Sequence, residues 1–200
     1  LLQKYTRNKD IIIGMPVHDK NITNELNNKI IPLRTEVIPQ TTFKDFIFQV
    51  KDEIIGAFNN QNYSVDELIQ LLEIPTSPNR CPFFDVVVLL ENIHNQETLN
   101  YLNNDITFSF LIDGEVIRGN ISYSEQLFQD DNIKLLTRYY TNVINSIVNN
   151  INTKISDIIF LEDTDKYQLL QIFNDNSKEY PVEKTINNLF EEQVNKTPNN

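Results

Sequence analysis

The chain has 200 residues, of which 40% are hydrophobic, and this suits one globular domain or one domain with a tail. Its formal net charge of -11 argues against binding to nucleic acid or to an anionic membrane, since both require basic patches. Its single cysteine, Cys81, excludes an internal disulfide and fits a reducing compartment, so a cytoplasmic protein is expected.

The first part of the chain predicts a helix end followed by two strands. Leu1 to Asn8 suits the last turns of a helix; it lacks a secretory signal and an initial methionine, so we expect a piece of a longer protein. Asp10 to Gly14 and Ile30 to Val37 are β-branched runs typical of strands, and Pro32 places the second at an edge or a bulge. Asn21 to Lys29 is polar and predicts a surface loop.

Two helices are predicted next. Apolar residues recur with a helical period from Phe43 to Phe58, which indicates an amphipathic helix. Thr42, with Asp45 three residues later, predicts its N-terminal cap. Ser64, with a glutamate three residues later, forms a capping-box pattern and predicts a short helix that ends near Glu73.

The run from Phe83 to Leu90 is apolar except for Asp85 and predicts a strand buried on both faces. Pro82 restricts Cys81 to an extended conformation and marks the start of the strand. Because burial of a charge is costly unless the charge is paired, Asp85 and Arg80 are expected either to be exposed at one end of the strand or to have partners.

A hairpin and a long helix follow the polar, loop-like stretch from Asn92 to Asn104. Asp113-Gly114 between the alternating segments Asp105 to Ile112 and Val116 to Tyr123 predicts the hairpin. The helix is predicted to start at Asp130 and Asp131. Its expected buried stripe comprises Ile133, Leu136, Tyr140, Val143, Ile144, Ile147, Val148 and Ile151.

The composition shifts from Glu162 onward. A brief helix through Phe173, a polar linker from Asn174 to Val182 and a final amphipathic helix from Thr185 to Asn195 are predicted. The final helix has little preceding core to pack on, so we expect it to belong to a neighbouring domain. The elements together predict an α+β fold with a mixed sheet.

No set of residues in this sequence forms a self-sufficient active site. His18 and His94 lie far apart in loop-like stretches, and no ligand spacing for a metal is visible. Cys81 adjoins an apolar strand, which favours an inert thiol over a nucleophile. Acidic pairs such as Asp130-Asp131 and Glu191-Glu192 are explained by helix dipoles or solvation. We therefore expect no catalytic, metal-binding or cofactor-binding residue in the chain.

The order of several short motifs resembles the C-terminal half of the condensation domain of nonribosomal peptide synthetases. Asp10 to Val17 is similar to that family's D-(I/V)-(V/I)-x-G-x-P-V strand, and Ile31 to Arg34 to the end of its F-V-N-T-L-P-L-R motif. Residues 60–66 resemble H-Q-D-Y-P-F-E, with Gln61 and Tyr63 matching and an asparagine in place of the histidine.

The best-matching stretch is residues 79–86, which resembles S-R-N-P-L-F-D-V. Asp105 to Thr107 is similar to the motif F-D-L-T, and Tyr123 to Phe128 to Y-N-x-x-L-F. Residues 173–198 look like the join into an adenylation domain. The family-motif residues, expected to be structural or to lie beside a tunnel, are Arg34, Gln61, Tyr63, Arg80, Pro82, Phe84, Asp85, Asp105 and Tyr123.

This resemblance implies a chloramphenicol-acetyltransferase-like lobe over residues 1–161, a linker over 162–184 and the start of an adenylation domain over 185–200. In the family, two lobes enclose a tunnel in which phosphopantetheine arms of peptidyl carrier proteins meet and an amide bond forms. The implied partners are an N-terminal lobe, carrier proteins and a downstream adenylation domain, with no cofactor bound to this chain directly.

The family's catalytic signature, His-His-x-x-x-Asp-Gly, belongs to the N-terminal lobe, and this sequence has no His-His pair. We therefore expect the catalytic histidine upstream of Leu1 and no activity from the chain alone. Two alternatives remain open: a non-catalytic module that docks carrier proteins or neighbouring domains, and a heterocyclisation or epimerisation relative on the same fold.

Overall fold

The structure of the protein, a computed structural model, describes residues 1–17, 30–61, 65–77, 80–94, 99, 102–175 and 184–197, and for 65 and 66 only the backbone. The chain forms two compact units, Leu1–Phe160 and Leu161–Asn200. The predicted loop from Asn21 to Lys29, the capping serine Ser64 and part of the predicted linker lie outside the described residues.

The first unit is built on a five-stranded sheet with the order β2-β1-β3-β4-β5. β1, β3 and β4 run parallel, and β2 and β5 pair with them as antiparallel edge strands. The α+β class with a mixed sheet is thus confirmed, as is the edge position that Pro32 indicated. The strands are β1 (Asp10–Pro16), β2 (Ile30–Glu36), β3 (Val86–Leu90), β4 (Ile106–Asp113) and β5 (Val116–Tyr123).

Six α-helices are described in the two units. The first unit contains α1 (Leu2–Thr6), α2 (Phe43–Asn59), α3 (Val65–Leu71), α4 (Asp130–Asn149) and a 3-10 turn (Ile155–Asp157). The second unit contains α5 (Asp163–Tyr167), which continues as a π-helical turn (Gln168–Ile172), and α6 (Ile186–Lys196).

A threonine caps the N-terminus of each of the helices α2 and α6. Thr42 has an extended backbone, and its hydroxyl accepts the backbone N–H of Asp45 at 3.2 Å. Thr185 accepts the N–H of Asn188 in the same way. The cap of α2 was therefore predicted correctly from the sequence.

Helices cover one face of the sheet. The side of α4 that includes Ile133 and Leu136 packs on Ile106 and Phe108 of β4. Further along α4, Val143 and Ile147 form a second cluster with Val37, Ile155 and Ile158. Both clusters lie on the same face of the sheet, since Leu1 packs against each of them.

The predicted buried stripe of α4 was partly wrong. Tyr139 is buried and its ring contacts Phe160 edge-on at 5.5 Å, although the sequence pattern favoured Tyr140. Ile144 and Val148 are exposed, the latter by 78%, and Ile151 lies beyond the helix. A helix that rests on a sheet buries only one narrow stripe, so apolar residues flanking that stripe remain in solvent.

The opposite face of the sheet is covered by the chain leading into β3 and β4. Val87 is fully buried there, beside Phe84, Ile12 and Ile30. β3 starts at Val86, three residues later than the apolar run suggested, because Phe84 turns into this core instead of extending the strand. The strand lies third of five, but Val86, Val88 and Leu90 are only half-buried, so the predicted burial on both faces was wrong.

The hairpin between β4 and β5 was predicted with its turn shifted by one residue. Asp113 pairs with Val116, so Gly114 and Glu115 form the two-residue turn. Gly114 has φ 62°, the left-handed region that glycine enters without a steric penalty.

Candidate functional site at one end of the sheet

The strand directions bring five of the predicted motif residues to one end of the sheet. Asp85 and Asp105 immediately precede the parallel strands β3 and β4, and Arg80 pairs with Asp85. Arg34 and Tyr123 lie near the ends of the antiparallel strands β2 and β5. We call this region, where the parallel strands start, the charged end.

Arg80 and Asp85 form a two-pronged ion pair across a five-residue separation. The Arg80 Nε and a terminal guanidinium nitrogen each donate to one carboxylate oxygen of Asp85 at 2.7 Å. Their side chains remain 62% and 41% exposed, so the pair is both partnered and in contact with solvent. The hydrogen bond and the charge of Asp85 raise the pKa of Arg80 above its ordinary value.

Asp105 adds a second carboxylate beside this pair. Its backbone N–H and that of Ile106 both donate to the carbonyl oxygen of Asp85, which joins the starts of β3 and β4. Partial burial raises the pKa of the Asp105 carboxyl, the nearby Asp85 charge adds to the effect, and Arg80 opposes it. Ionisation of the Asp105 carboxyl is thus disfavoured.

A second two-pronged pair lies between β1 and β2 at the same end of the sheet. Arg34 donates from Nε at 2.9 Å and from a terminal nitrogen at 2.8 Å to the carboxylate of Asp10, the first residue of β1. The hydrogen bond from Arg34 lowers the pKa of Asp10. The pair joins β1 to β2 and is exposed on both sides.

Tyr123 ends β5 beside the start of α4. Its hydroxyl donates to the carboxylate of Asp130 at 3.3 Å, and Lys134 also pairs with that carboxylate, at 2.6 Å. Desolvation together with the Asp130 charge raises the pKa of Tyr123, and the Lys134 ammonium lowers the pKa of Asp130. These contacts fasten the sheet to the first turn of α4.

The two arginines of the charged end, Arg34 and Arg80, are both held in ion pairs with aspartates. Both guanidinium groups already donate from two nitrogens to a carboxylate, so much of their positive charge is compensated within the pair. A reactive nucleophile with an adjacent base does not occur among these residues. The ion pairs join Arg80 to the residue before β3 and join β1 to β2.

The other motif residues lie apart from these charges. Phe84 is buried in the core of the opposite face, Pro82 is half-buried, and Gln61 follows α2, where its N–H donates to the Phe58 carbonyl. Tyr63 lies outside the described residues.

One of the two histidines, His94, lies within the described residues. His94 caps the end of β3, where its Nδ1 accepts the backbone N–H of Leu90 at 2.9 Å. His18 lies outside the described residues. In the parts of the chain that the structure covers, no group of three or more His, Cys, Asp or Glu residues could hold a metal ion.

Two polar arrangements escaped the sequence analysis. The buried hydroxyl of Thr35 donates to Glu53 at 2.5 Å, and Gln49 donates to the same carboxylate and to the backbone of Glu36, which ties α2 to β2. The side chain of Asn92 also pairs with both backbone groups of Ile112, as a strand residue would. The sequence did not indicate the contacts of Gln49 and Glu53, because the polar residues of an amphipathic helix are expected to face solvent.

One missed contact did have a signal. Gly14 stands inside β1, and a glycine within a strand often marks the close approach of another group. The Phe84 ring is that group.

Of the helices that the structure describes, none combines the length and the apolar character that a membrane crossing requires.

Comparison with known proteins identifies the family. The sequence model of the Condensation domain matches residues 1–170. The chain is 32% identical to gramicidin S synthase 2 of Brevibacillus brevis and 30% identical to tyrocidine synthase 3 of Brevibacillus parabrevis, in each case over 99% of its length. It spans only 5% and 3% of the length of those synthases.

Solved structures show the same fold. The X-domain in its complex with OxyB from teicoplanin biosynthesis superposes with a TM-score of 0.68 at 20% identity, and covers 81% of this chain and 40% of that one. The starter condensation domain of rhizomide synthetase gives 0.62 at 16% identity, with coverages of 80% and 42%. The family match, the synthase relatives and the common fold agree: the chain belongs to the condensation-domain family of nonribosomal peptide synthetases.

Proposed function

We propose that this chain is the C-terminal lobe of a condensation domain that forms amide bonds between carrier-bound aminoacyl or peptidyl thioesters. The observation that carries the proposal is the pairing of the family match over residues 1–170 with a fold that covers about 40% of solved condensation domains. A chain with this coverage supplies one part of such a domain, so a second lobe would complete it.

In this proposal the N-terminal lobe and this chain contribute different parts of the active site. Neither histidine of this chain is part of a His-His pair, and the charged end holds its cations in ion pairs. We infer that the catalytic histidine is supplied by the N-terminal lobe, and that this chain contributes a wall of the tunnel into which phosphopantetheine arms reach. On its own the chain would have no condensation activity.

The nine motif residues have a supporting role in this proposal. Arg80, Asp85 and Asp105 hold the starts of β3 and β4 together, and Arg34 joins β2 to β1. Their effect on catalysis would come from the position of the sheet, not from contact with substrate.

Residues 185–200, at the end of the second unit, would begin the neighbouring domain. The amphipathic helix α6 leaves Ile186 and Phe190 exposed by 85% and 69%, which suits a helix whose partner surface lies in a following adenylation domain. Residues 162–184 would form the linker, in spite of the helical turns of α5. Carrier proteins and the adenylation domain are the proposed partners, in the cytoplasm.

The test compares the chain with a longer natural protein that contains it. Donor and acceptor aminoacyl carrier proteins are mixed with each, and dipeptide is measured by mass spectrometry. The chain alone should give none, and the longer protein should give dipeptide. A longer protein with Val148→Ala, a change at an exposed position, is the matched control. Dipeptide from the chain alone would overturn the proposal.

A docking module is the alternative function. The common fold extends to the X-domain, whose solved complex contains OxyB, so the fold alone does not distinguish catalysis from docking. A longer protein that binds carrier proteins but yields no dipeptide would favour docking. Formation of a thiazoline or oxazoline product, or epimerisation of a carrier-bound aminoacyl group, would indicate the heterocyclisation or epimerisation relatives.

A further inference from the structure

β5 is an edge strand whose outer side has no neighbouring strand among the described residues. It pairs with β4 over its whole length, and the sheet ends there. In a hairpin with a two-residue turn, the residues that close the turn, here Asp113 and Val116, form a hydrogen-bonded pair. Bonded and non-bonded pairs then alternate, so the backbone N–H and C=O groups of Ile117, Gly119 and Ile121 point away from β4.

Two other strand edges of the sheet are blocked. Pro32 in β2 lacks an N–H, and the Gln49 side chain donates to the carbonyl of Glu36 at the end of that strand. Where β4 extends beyond β3, the Asn92 side chain pairs with both backbone groups of Ile112. Proteins block edge strands with such devices because an open edge recruits another strand. β5 contains no proline, lysine or bulge, so its edge stays available for pairing.

Apolar side chains accompany this edge on the helix-covered face of the sheet. Ile112 and Ile117 form a cross-strand pair and are exposed by 45% and 68%. Phe110 lies opposite Gly119, and its ring is so close that a Cβ at position 119 would be 3.2 Å from Cε1. Ile121 packs against the core cluster formed by β4 and α4. The edge thus offers an apolar stripe together with unpaired backbone groups.

The amino-acid order along this edge favours one partner. Ile117-Arg118-Gly119-Asn120-Ile121 reads nearly the same in both directions, with isoleucines at its ends, polar residues inside them and glycine at the centre. Antiparallel pairing of two copies around Gly119 places Ile117 of each copy opposite Ile121 of the other, and the three outward-pointing residues form hydrogen-bonded pairs. Arg118 falls opposite Asn120, so no like charges face each other. A second copy of β5 therefore satisfies both the backbone groups and the side chains of this edge.

We propose that β5 is a self-association edge, at which a second copy of this chain pairs antiparallel through its own β5 about a twofold axis at Gly119. The two five-stranded sheets then form one continuous sheet of ten strands. On one face the apolar stripe continues from one copy to the other, and the Phe110 rings cover the two glycines at the axis. The pairing does not depend on the proposed function, since none of its residues belongs to the charged end.

The length and the charge of the pairing set its strength. A contact of about five residues per strand is smaller than the interface of a permanent dimer, so a dissociation constant in the micromolar range is expected. Each copy carries a net charge of -11, so the two copies repel each other. Because salt screens that repulsion while the backbone hydrogen bonds remain, dimerisation should strengthen as the salt concentration rises.

Analytical ultracentrifugation of the full chain over a range of concentrations tests the association. A monomer–dimer equilibrium is expected, and Ile117→Lys should weaken it by at least about tenfold, because a lysine then faces an isoleucine across the new pair. Val148→Lys is the matched control: it makes the same change of charge at an apolar residue exposed by 78%, and should leave dimerisation unchanged. A chain that stays monomeric, or a dimer that both variants weaken equally or that Ile117→Lys leaves intact, would overturn the proposal.

Disulfide trapping tests the register. In a background with Cys81→Ser, protein with Arg118→Cys is mixed with protein with Asn120→Cys and treated with oxidised glutathione. These two positions face each other in a non-hydrogen-bonded pair, whose Cα atoms are about 4.5 Å apart and thus within the range of a disulfide. The mixture should form crosslinked dimer at least about tenfold faster than either protein alone. Faster crosslinking of Asn120→Cys with itself, or equal rates in all three samples, would contradict an axis at Gly119 and overturn the proposal.

Discussion

The Phe84 ring lies directly against the backbone of Gly14, so that a Cβ at position 14 would be 2.7 Å from ring atoms Cδ2 and Cζ and closer still to Cε2. Gly14 pairs with Val87 across the parallel junction of β1 and β3. The motif that carries Phe84 is therefore locked to the strand that carries Gly14, through a contact that only glycine permits.

Gly14→Ala should destabilise the chain by about 1–3 kcal/mol, because the added methyl group overlaps a buried ring. Urea unfolding measures the change. Gly56→Ala is the control: nothing lies within 4 Å of that position in α2, so alanine should stabilise the helix by up to about 1 kcal/mol. Phe84→Leu should relieve most of the overlap in Gly14→Ala, and the absence of such coupling would contradict the contact.

The Arg80–Asp85 pair should contribute a coupling that depends strongly on salt. Both side chains are largely exposed, so screening weakens their attraction. A double-mutant cycle with Arg80→Ala and Asp85→Ala, measured at low and high salt, gives the coupling. The exposed Arg34–Asp10 pair is a matched reference in the same sheet end. A large, salt-independent coupling at Arg80–Asp85 would require a buried pair and contradict the structure.

Asp105→Asn should stabilise the chain at neutral pH. The folded-state pKa of Asp105 is raised, so its ionised form is disfavoured in the folded state at pH values above that pKa. As pH falls through the raised pKa toward the ordinary value of 3.8, the wild-type carboxyl becomes protonated and the difference should disappear. Chemical unfolding of both proteins from pH 3 to pH 7, as an approximate range, follows this change.

Asp10→Asn provides the control of opposite sign. Arg34 lowers the pKa of Asp10, so this carboxylate stabilises the fold above pH 3.8 and the contribution is lost as pH falls through its lowered pKa. The asparagine variant should therefore be less stable than wild type at neutral pH. If Asp105→Asn and Asp10→Asn changed the stability in the same direction at neutral pH, the opposite pKa shifts of the two carboxyls would be contradicted.

Ile147→Ala should cost about 2–4 kcal/mol, because Ile147 belongs to the core cluster of α4. Val148→Ala should change stability by less than about 0.5 kcal/mol, since its side chain is exposed. Thermal or urea unfolding distinguishes the two neighbours. Equal costs would mean that α4 is rotated from the position described.

Asn92→Ala should speed amide hydrogen exchange at Ile112, whose N–H donates to the Asn92 side chain at 2.6 Å. The loss of stability should be about 1 kcal/mol, since two exposed hydrogen bonds are removed. The amide of Phe108, deeper in β4, serves as the internal reference. Unchanged exchange at Ile112 would show that the hydrogen bonds between the Asn92 side chain and the Ile112 backbone do not form in solution.

Local patterns in the sequence determined much of the secondary structure. The period from Phe43 to Phe58 and the Thr42 cap specified α2, because both depend on residues three or four positions apart. β-branched runs located the strands, and Pro32 placed β2 at an edge because proline lacks an N–H for a second neighbour. The order of motifs led to the condensation-domain family, including the Arg80–Asp85 segment.

Only the tertiary structure decided which surfaces meet. The sequence could not place Arg34, Arg80, Asp105 and Tyr123 at one sheet end, because that depends on which strands run parallel. It favoured Tyr140 and Val148 over Tyr139, since the buried stripe of a helix is set by what the helix packs on. The apolar cavity between the sheet and the helices α2 and α4 is likewise a relation between distant elements, and no local pattern of apolar residues records whether their faces are filled.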